Sequence, residues 1–259
     1  MGEKKSLFRG MEGHGAIMRK HHILTAVAAA AVFSLGASTL ALAGEESTSG
    51  GTFTYARSDS TTSFDLHQEI TENNAFAIDK VFESLVTFDN DGNIIDWLAE
   101  DHKISDDGLV YTFTLRDGLK FSDGTDVTAE DVKFSIERHL EVGGSLPIEA
   151  DVKSVEAVDE KTVEITLGTA YTPFLSELAN FSNGIIPKDF GGKTEEEFFK
   201  NPVGTGPFAV SEWDPSGDLT FVKNEYYWNG EVPYDNVEID FLSEDNKALA
   251  LQHGDINLV

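Results

Sequence analysis

The chain has 259 residues, 40% apolar and 10% aromatic, with 46 Asp and Glu against 19 Lys and Arg. That is the composition of one or two packed domains, outside the disordered class. A net charge of −27 argues against nucleic acid or an anionic membrane as partner, since both require a basic face. The absence of cysteine excludes disulfides, thiolate metal sites and cysteine nucleophiles.

Residues 1–43 read as a leader. From Met18, the expected functional start, Arg19 and Lys20 precede an apolar run from about Ile23 to Leu42, and Ala41-Leu42-Ala43 supplies a small-x-small cleavage triplet. A membrane anchor needs about 20 strongly apolar residues; this run is mostly Ala and is interrupted by Ser, Thr and Gly. The expectation is therefore a signal peptide cleaved after Ala43, with no lipid anchor there for want of a cysteine and no stable membrane insertion afterwards. The mature part keeps 14 basic and 44 acidic residues, net −30. These acids are spread along the chain as a solvated surface suited to saline surroundings, and are not clustered as a cation site.

In the mature chain, "GGTFTYARS" alternates as an opening strand and "TTSFDLHQ" breaks the period as a loop. A helix capped within Thr71–Asn74 follows, with Ala75, Ile78, Phe82 and Leu85 expected on one face. Asp91-Gly92 turns between two short strands. "LVYTFTLRDGLKF" is the clearest strand, and a turn at Asp117-Gly118 leads to a second short one. Thr128 and Asp131 then form a capping box for a helix whose buried stripe is Val132, Ile136 and Leu140. Strands "VKSVEAVDE" and "KTVEITLGT" follow, then short helices at "TPFLSELANF", with Pro173 first in the helix, and "TEEEFFKN". Three more strand-like segments ("GTGPFAVSEWD", "DLTFVKNEYYW", "NVEIDFL") precede a helix from near Asp245.

Catalytic and metal motifs do not survive inspection. Aligning Asp89, Asp91 and Gly92 with a calcium loop puts Thr87 at its first position and Leu98 at its last, where carboxylates are required. "GGKT" has Pro187 where a phosphate loop needs its first Gly. His67, His102, His139 and His253 stand alone in sequence, and neither G-x-S-x-G nor H-E-x-x-H occurs. No catalytic residue, metal ligand or cofactor is assigned, and the protein is not expected to be an enzyme.

Several segments, in order, resemble one family: the extracytoplasmic solute-binding proteins of peptide-type ABC importers, which include dipeptide-, oligopeptide- and nickel-binding proteins. They are "TTSFDLHQ", "VFESLVTFDNDGNIIDWLAED", "YTFTLRDGLKFSDGTDVTAEDVKFSIER", "VEAVDEKTVEITL", "TPFLSELAN", "NPVGTGPFAVSEW", "KNEYYWNGEVPYDNVEIDFL" and "ALQHGDINLV". The "LRDGLKFSDG" block and "NPVGTGPF" are the most specific of these.

The resemblance implies a mixed α/β (α+β) fold of the periplasmic-binding-protein clamshell type. Its first lobe would have two subdomains, residues 44–84 with 203–259 and residues 85–202. Members are usually about twice this long, so the expectation is an N-terminal portion with the second lobe absent. The implied function is to capture peptides or a related small solute outside the cytoplasmic membrane and deliver it, as a monomer, to the transmembrane subunits of an ABC permease. A solute-binding sensor on the same scaffold and a secreted hydrolase are the alternatives. The candidate ligand contacts are Ser58, Thr61, Thr62 and Ser63 in the loop after the first strand, with Phe181, Ser182 and Asn183 a second group. Tyr226, Tyr227 and Trp228 read as core packing beneath the strands.

Overall fold

The computed structural model describes residues 50–68 and 71–259; the leader expected over residues 1–43 lies outside them. The strands are β1 (Thr52–Arg57), β2 (Val86–Phe88), β3 (Ile94–Asp96), β4 (Ala99–Ile104), β5 (Val110–Leu115), β6 (Val152–Ala157), β7 (Thr162–Leu167), β8 (Phe208–Trp213), β9 (Leu219–Lys223) and β10 (Asn236–Phe241). The helices are α1 (Glu72–Val81), α2 (Ala129–Val142), α3 (Phe174–Leu178), α4 (Glu195–Lys200) and α5 (Glu244–His253).

Two four-stranded sheets result, so the fold is mixed α/β as expected. The first has the order β1-β10-β9-β8, with β1 parallel to β10 and the other pairs antiparallel. On its free side β1 meets the end of the chain: Asn257 N donates to Thr54 O and Ala56 N to Leu258 O. The second sheet is antiparallel, β4-β5-β7-β6, and β2 and β3 form a separate hairpin. In β5 the alternation seen in the sequence is the alternation of burial: Tyr111, Phe113 and Leu115 face the core. Removing a side chain such as Phe113 from water contributes roughly 1.5–3 kcal/mol.

Each sheet carries its own core. The second sheet's core gathers Phe113, Leu115, Val163 and Ile165 with Val132 and Ile136 of α2. The first gathers Tyr55, Phe208, Phe221 and Ile239 with Ala77, Ile78 and Val81 of α1. Ile186, Phe198 and Phe199 pack into this first core although they fall within 85–202 in the chain.

The two cores are joined by "NPVGTGPF". Gly206 N donates to Val81 O, and Ser122 N to Gly204 O. A Cβ on Gly204 would lie 2.1 Å from Val81 O, and one on Gly206 2.5 Å from Lys80 O. The glycines are there because the backbone crosses the end of α1 at contact distance.

Four local expectations need correction. Helix α1 stops at Val81, and Phe82 caps it with extended backbone, so its buried residues are Asn74, Ala77, Ile78 and Val81. The short strand after Gly118 is only a single bridge, Lys120 to Asp126. Pro173 occupies the cap of α3, one residue before the helix begins. Strand β4, "AEDHKI", was not expected; it is an edge strand with most side chains exposed and so lacks an apolar signature.

Candidate ligand-binding site

The loop after β1 is shaped by Asn74, buried in the first turn of α1. Its Oδ1 accepts from Thr62 N at 2.8 Å, Thr62 Oγ1 at 3.3 Å and Ser63 N at 3.3 Å. Thr71 Oγ1 in turn accepts from Asn74 N at 3.2 Å and so caps the helix. Thr61 is buried; its hydroxyl donates to Asn73 O, and its carbonyl accepts from Trp213 Nε1 at 2.7 Å. Ser63 Oγ accepts from Asp65 N at 3.0 Å, and Ser58 Oγ donates to Glu244 Oε1. The hydroxyls singled out in the sequence are thus already engaged within the protein, with the loop, with α1 or, for Ser58, with α5.

Thr62 and Ser63 nonetheless wall a groove of about 440 Å³, together with Asp65, Gln68, Glu195, Lys200 and the rings of Phe199 and Trp213. This surface combines aromatic faces, carboxylates, one ammonium and polar loop groups, which is suited to a small polar solute with an apolar part.

The second candidate group does not join it. Phe181, Ser182 and Asn183 form a 3₁₀ turn started by Asn180, whose Oδ1 accepts from Ser182 N at 3.3 Å. Ser182 and Asn183 are buried. Asn183 Nδ2 donates to Glu177 O at 2.8 Å, and its Oδ1 lies 2.9 Å from His139 Nδ1. Phe181 lines a different cavity, of about 350 Å³, which includes Glu83, Trp97 and Tyr227.

The groove rests on a buried ionic network that sequence reasoning missed. Arg138 of α2 pairs with both carboxylate oxygens of Asp65, at 2.9 and 2.8 Å, and with Glu195 Oε1 at 2.5 Å. Its Nη1 lies 2.7 Å from His67 Nδ1. The guanidinium carbon stands 4.9 Å from the centre of the Phe199 ring and 5.5 Å from that of Phe190. His67 and His139 do not stand alone: their rings stack at 4.7 Å, nearly parallel. Burial, then the neighbouring His139 and Arg138, hold the His67 pKa well below the usual range. Burial also lowers His139, against its hydrogen bond to Asn183 Oδ1. The available signal was that "FDLH" and "ERHL" each carry a charged residue within two positions of a histidine, yet nothing in the sequence pairs the segments.

Two further readings are settled by geometry. Asp89 Oδ1 accepts from the backbone N–H groups of Asp91 and Asn93, so the "DNDG" carboxylate closes its own turn. Tyr226 is exposed and not core, while half-buried Tyr227 and Trp228 direct polar atoms to Glu83. Among the described residues, no group of three or more His, Asp or Glu side chains is placed to hold a metal ion.

Comparison with known proteins adds the following. The sequence profile of the bacterial extracellular solute-binding proteins, family 5 (Middle), matches residues 93–259. The probable D,D-dipeptide-binding periplasmic protein DdpA of Escherichia coli (strain K12) is 36% identical over 190 residues, 68% of this chain and 37% of the relative. The nickel-binding periplasmic protein of the same organism is 34% identical over 195 residues, 73% of this chain and 37% of the relative. The ABC transporter-associated periplasmic binding protein DppA from Helicobacter pylori, solved in complex with the peptide STSA, superposes with a TM-score of 0.74 at 30% identity, covering 82% of this chain and 47% of that one. The chain thus spans little more than a third of the length of these curated relatives.

Proposed function

The chain belongs to the bacterial extracellular solute-binding proteins of family 5, and from that premise we propose that it captures peptides or a related small solute outside the cytoplasmic membrane for an ABC permease. The groove beside Thr62 and Ser63 is the proposed contact surface. The observation that carries this reading is the support beneath it: Asn74 and the Asp65–Arg138–Glu195 network hold the loop in place before any solute arrives. Preorganisation of that kind lowers the ordering cost of binding. Ser58 and Thr61 act in this reading as positioning residues, and Phe181, Ser182 and Asn183 as framework.

The proposed division of the lobe joins residues 44–84 to 203–259 and sets 85–202 apart, with the segment around Ile186 to Phe199 reaching across to the first core. Among the described residues no helix is long and apolar enough to cross a membrane. An extracytoplasmic location is proposed from the leader and from the periplasmic relatives. The proposed role is binding without catalysis.

The test is calorimetric titration with dipeptides, tripeptides, glutathione and a nickel chelate. The protein should be expressed with whatever reading frame continues beyond Val259. Saturable binding of one class, weakened at least tenfold by Thr62→Trp in the groove, is expected. Hydrolysis of a bound peptide, or unchanged affinity in Thr62→Trp, would reject the proposal.

A further inference from the structure

We propose that the cavity beside Glu83 binds a small organic ammonium ion. Glu83 is 8% exposed. Its Oε1 accepts from Trp97 Nε1 at 2.8 Å and from the Tyr227 hydroxyl at 3.4 Å, and its Oε2 accepts from Trp228 Nε1 at 2.9 Å. Indole nitrogens only donate. Both carboxylate oxygens therefore act as acceptors, and no partner requires a proton on the group.

Its hydrogen-bond partners are all neutral, and among the described residues no Lys, Arg or His forms an ion pair with it. Lys80, on the same cavity wall, pairs with Asp79 at 2.9 Å and stands over the Phe76 ring. Arg116 faces the Trp228 ring and donates to the backbone oxygens of Trp97 and Asp96. A buried carboxylate with neutral partners alone carries a desolvation penalty that a bound cation would relieve.

The space for that cation is present. The cavity of about 350 Å³ is walled by Phe82, Trp97, Ala179, Phe181, Pro207 and Tyr227, at the small end of ligand cavities. Aromatic faces attract an alkylammonium. A hard metal ion needs about six oxygen ligands, whereas the other side-chain oxygens lining this cavity are those of Thr87, Ser84, Tyr227 and Asp79. The Ser84 hydroxyl already donates to Asn180 O at 3.0 Å, the Tyr227 hydroxyl to Glu83, and Asp79 is paired with Lys80. Thr62, Ser63 and Trp213 of the groove do not line this cavity, so the inference stands apart from the proposed solute site.

The experiment titrates the full chain with n-butylammonium, using n-butanol and sodium chloride as controls. Tryptophan fluorescence and thermal unfolding are followed, since Trp97 and Trp228 flank the carboxylate. Butylammonium should give a saturable fluorescence change and a rise in Tm that neither control reproduces. Glu83→Gln should lose at least tenfold in affinity, and Thr87→Trp, which fills the cavity from β2, should abolish the response. An equal response to n-butanol or sodium chloride overturns the proposal, as does undiminished affinity in a folded Glu83→Gln. Should that variant not fold, undiminished affinity in Thr87→Trp overturns it instead.

Discussion

Lowering the pH from 7 to 5 should weaken the fold through His67. In the unfolded chain this imidazole takes up a proton below about pH 6.5. In the folded chain Nδ1 lies 2.7 Å from Arg138 Nη1. A guanidinium only donates, so it fixes that nitrogen as an acceptor. Burial, His139 and Arg138 together hold the folded pKa well below the unfolded value. Between the two values the unfolded state binds more protons, so stability is present above about pH 6.5 and is lost as the pH falls through it. For one such group the loss from pH 7 to pH 5 is about 2 kcal/mol. That is a sizeable part of the roughly 5–15 kcal/mol that holds an ordinary domain together. His139, also lowered, acts in the same direction. Glu83 acts in the opposite one, because burial raises its pKa, against the hydrogen bonds from Trp228 and Trp97, and its folded state takes up a proton first. Urea unfolding at pH 5, 6 and 7 of the wild type and of His67→Asn separates these effects, since the Asn oxygen can replace Nδ1 as acceptor. The wild type should lose about 2 kcal/mol more than the variant between pH 7 and pH 5. Equal losses in the two proteins would refute the assignment of Nδ1 as a held acceptor.

Three other expectations concern single side chains. Gly204→Ala should destabilise by about 1–3 kcal/mol, read as a lower urea midpoint, because its methyl meets Val81 O at 2.1 Å. Thr128→Ala should cost about 1 kcal/mol through loss of the helix cap. Asp131→Ala should cost more in the same assay, since that carboxylate accepts from Thr128 N and Thr128 Oγ1 and, on its other oxygen, from Lys188 N, each at 2.7 Å. Asn74→Ala should leave the backbone N–H groups of Thr62 and Ser63 without their acceptor. Faster amide exchange confined to the loop after β1 is the expected signature, alongside weaker solute binding in the titration above.

The sequence made most elements visible because their burial is periodic. Strand β5 alternates as the pattern predicts, and α2 buries Val132 and Ile136 of its expected stripe while Leu140 is only partly buried. Strand β4 was invisible because an edge strand with exposed charges carries no apolar period. The site was less legible. Its residue types drew attention to Thr62 and Ser63, but hydroxyls do not announce whether they face a ligand or their own backbone. Asn74, which decides that question, reads in sequence as one more polar residue at a helix start. The Asp65–Arg138 pair joins positions 73 residues apart, and no local pattern encodes such a contact.

The position of β1 sets an order of events in folding. Its parallel partner β10 lies 184 residues later, and its other neighbour is the stretch around Leu258. A ribosome releases β1 long before either flank exists. Until residues 236–258 emerge, β1 has unpaired edges on both sides and no sheet to enter. Contacts of such sequence separation slow folding and keep the nascent chain unfolded and prone to association. The sheet that holds β1 can therefore assemble only after residues 236–258 have been made.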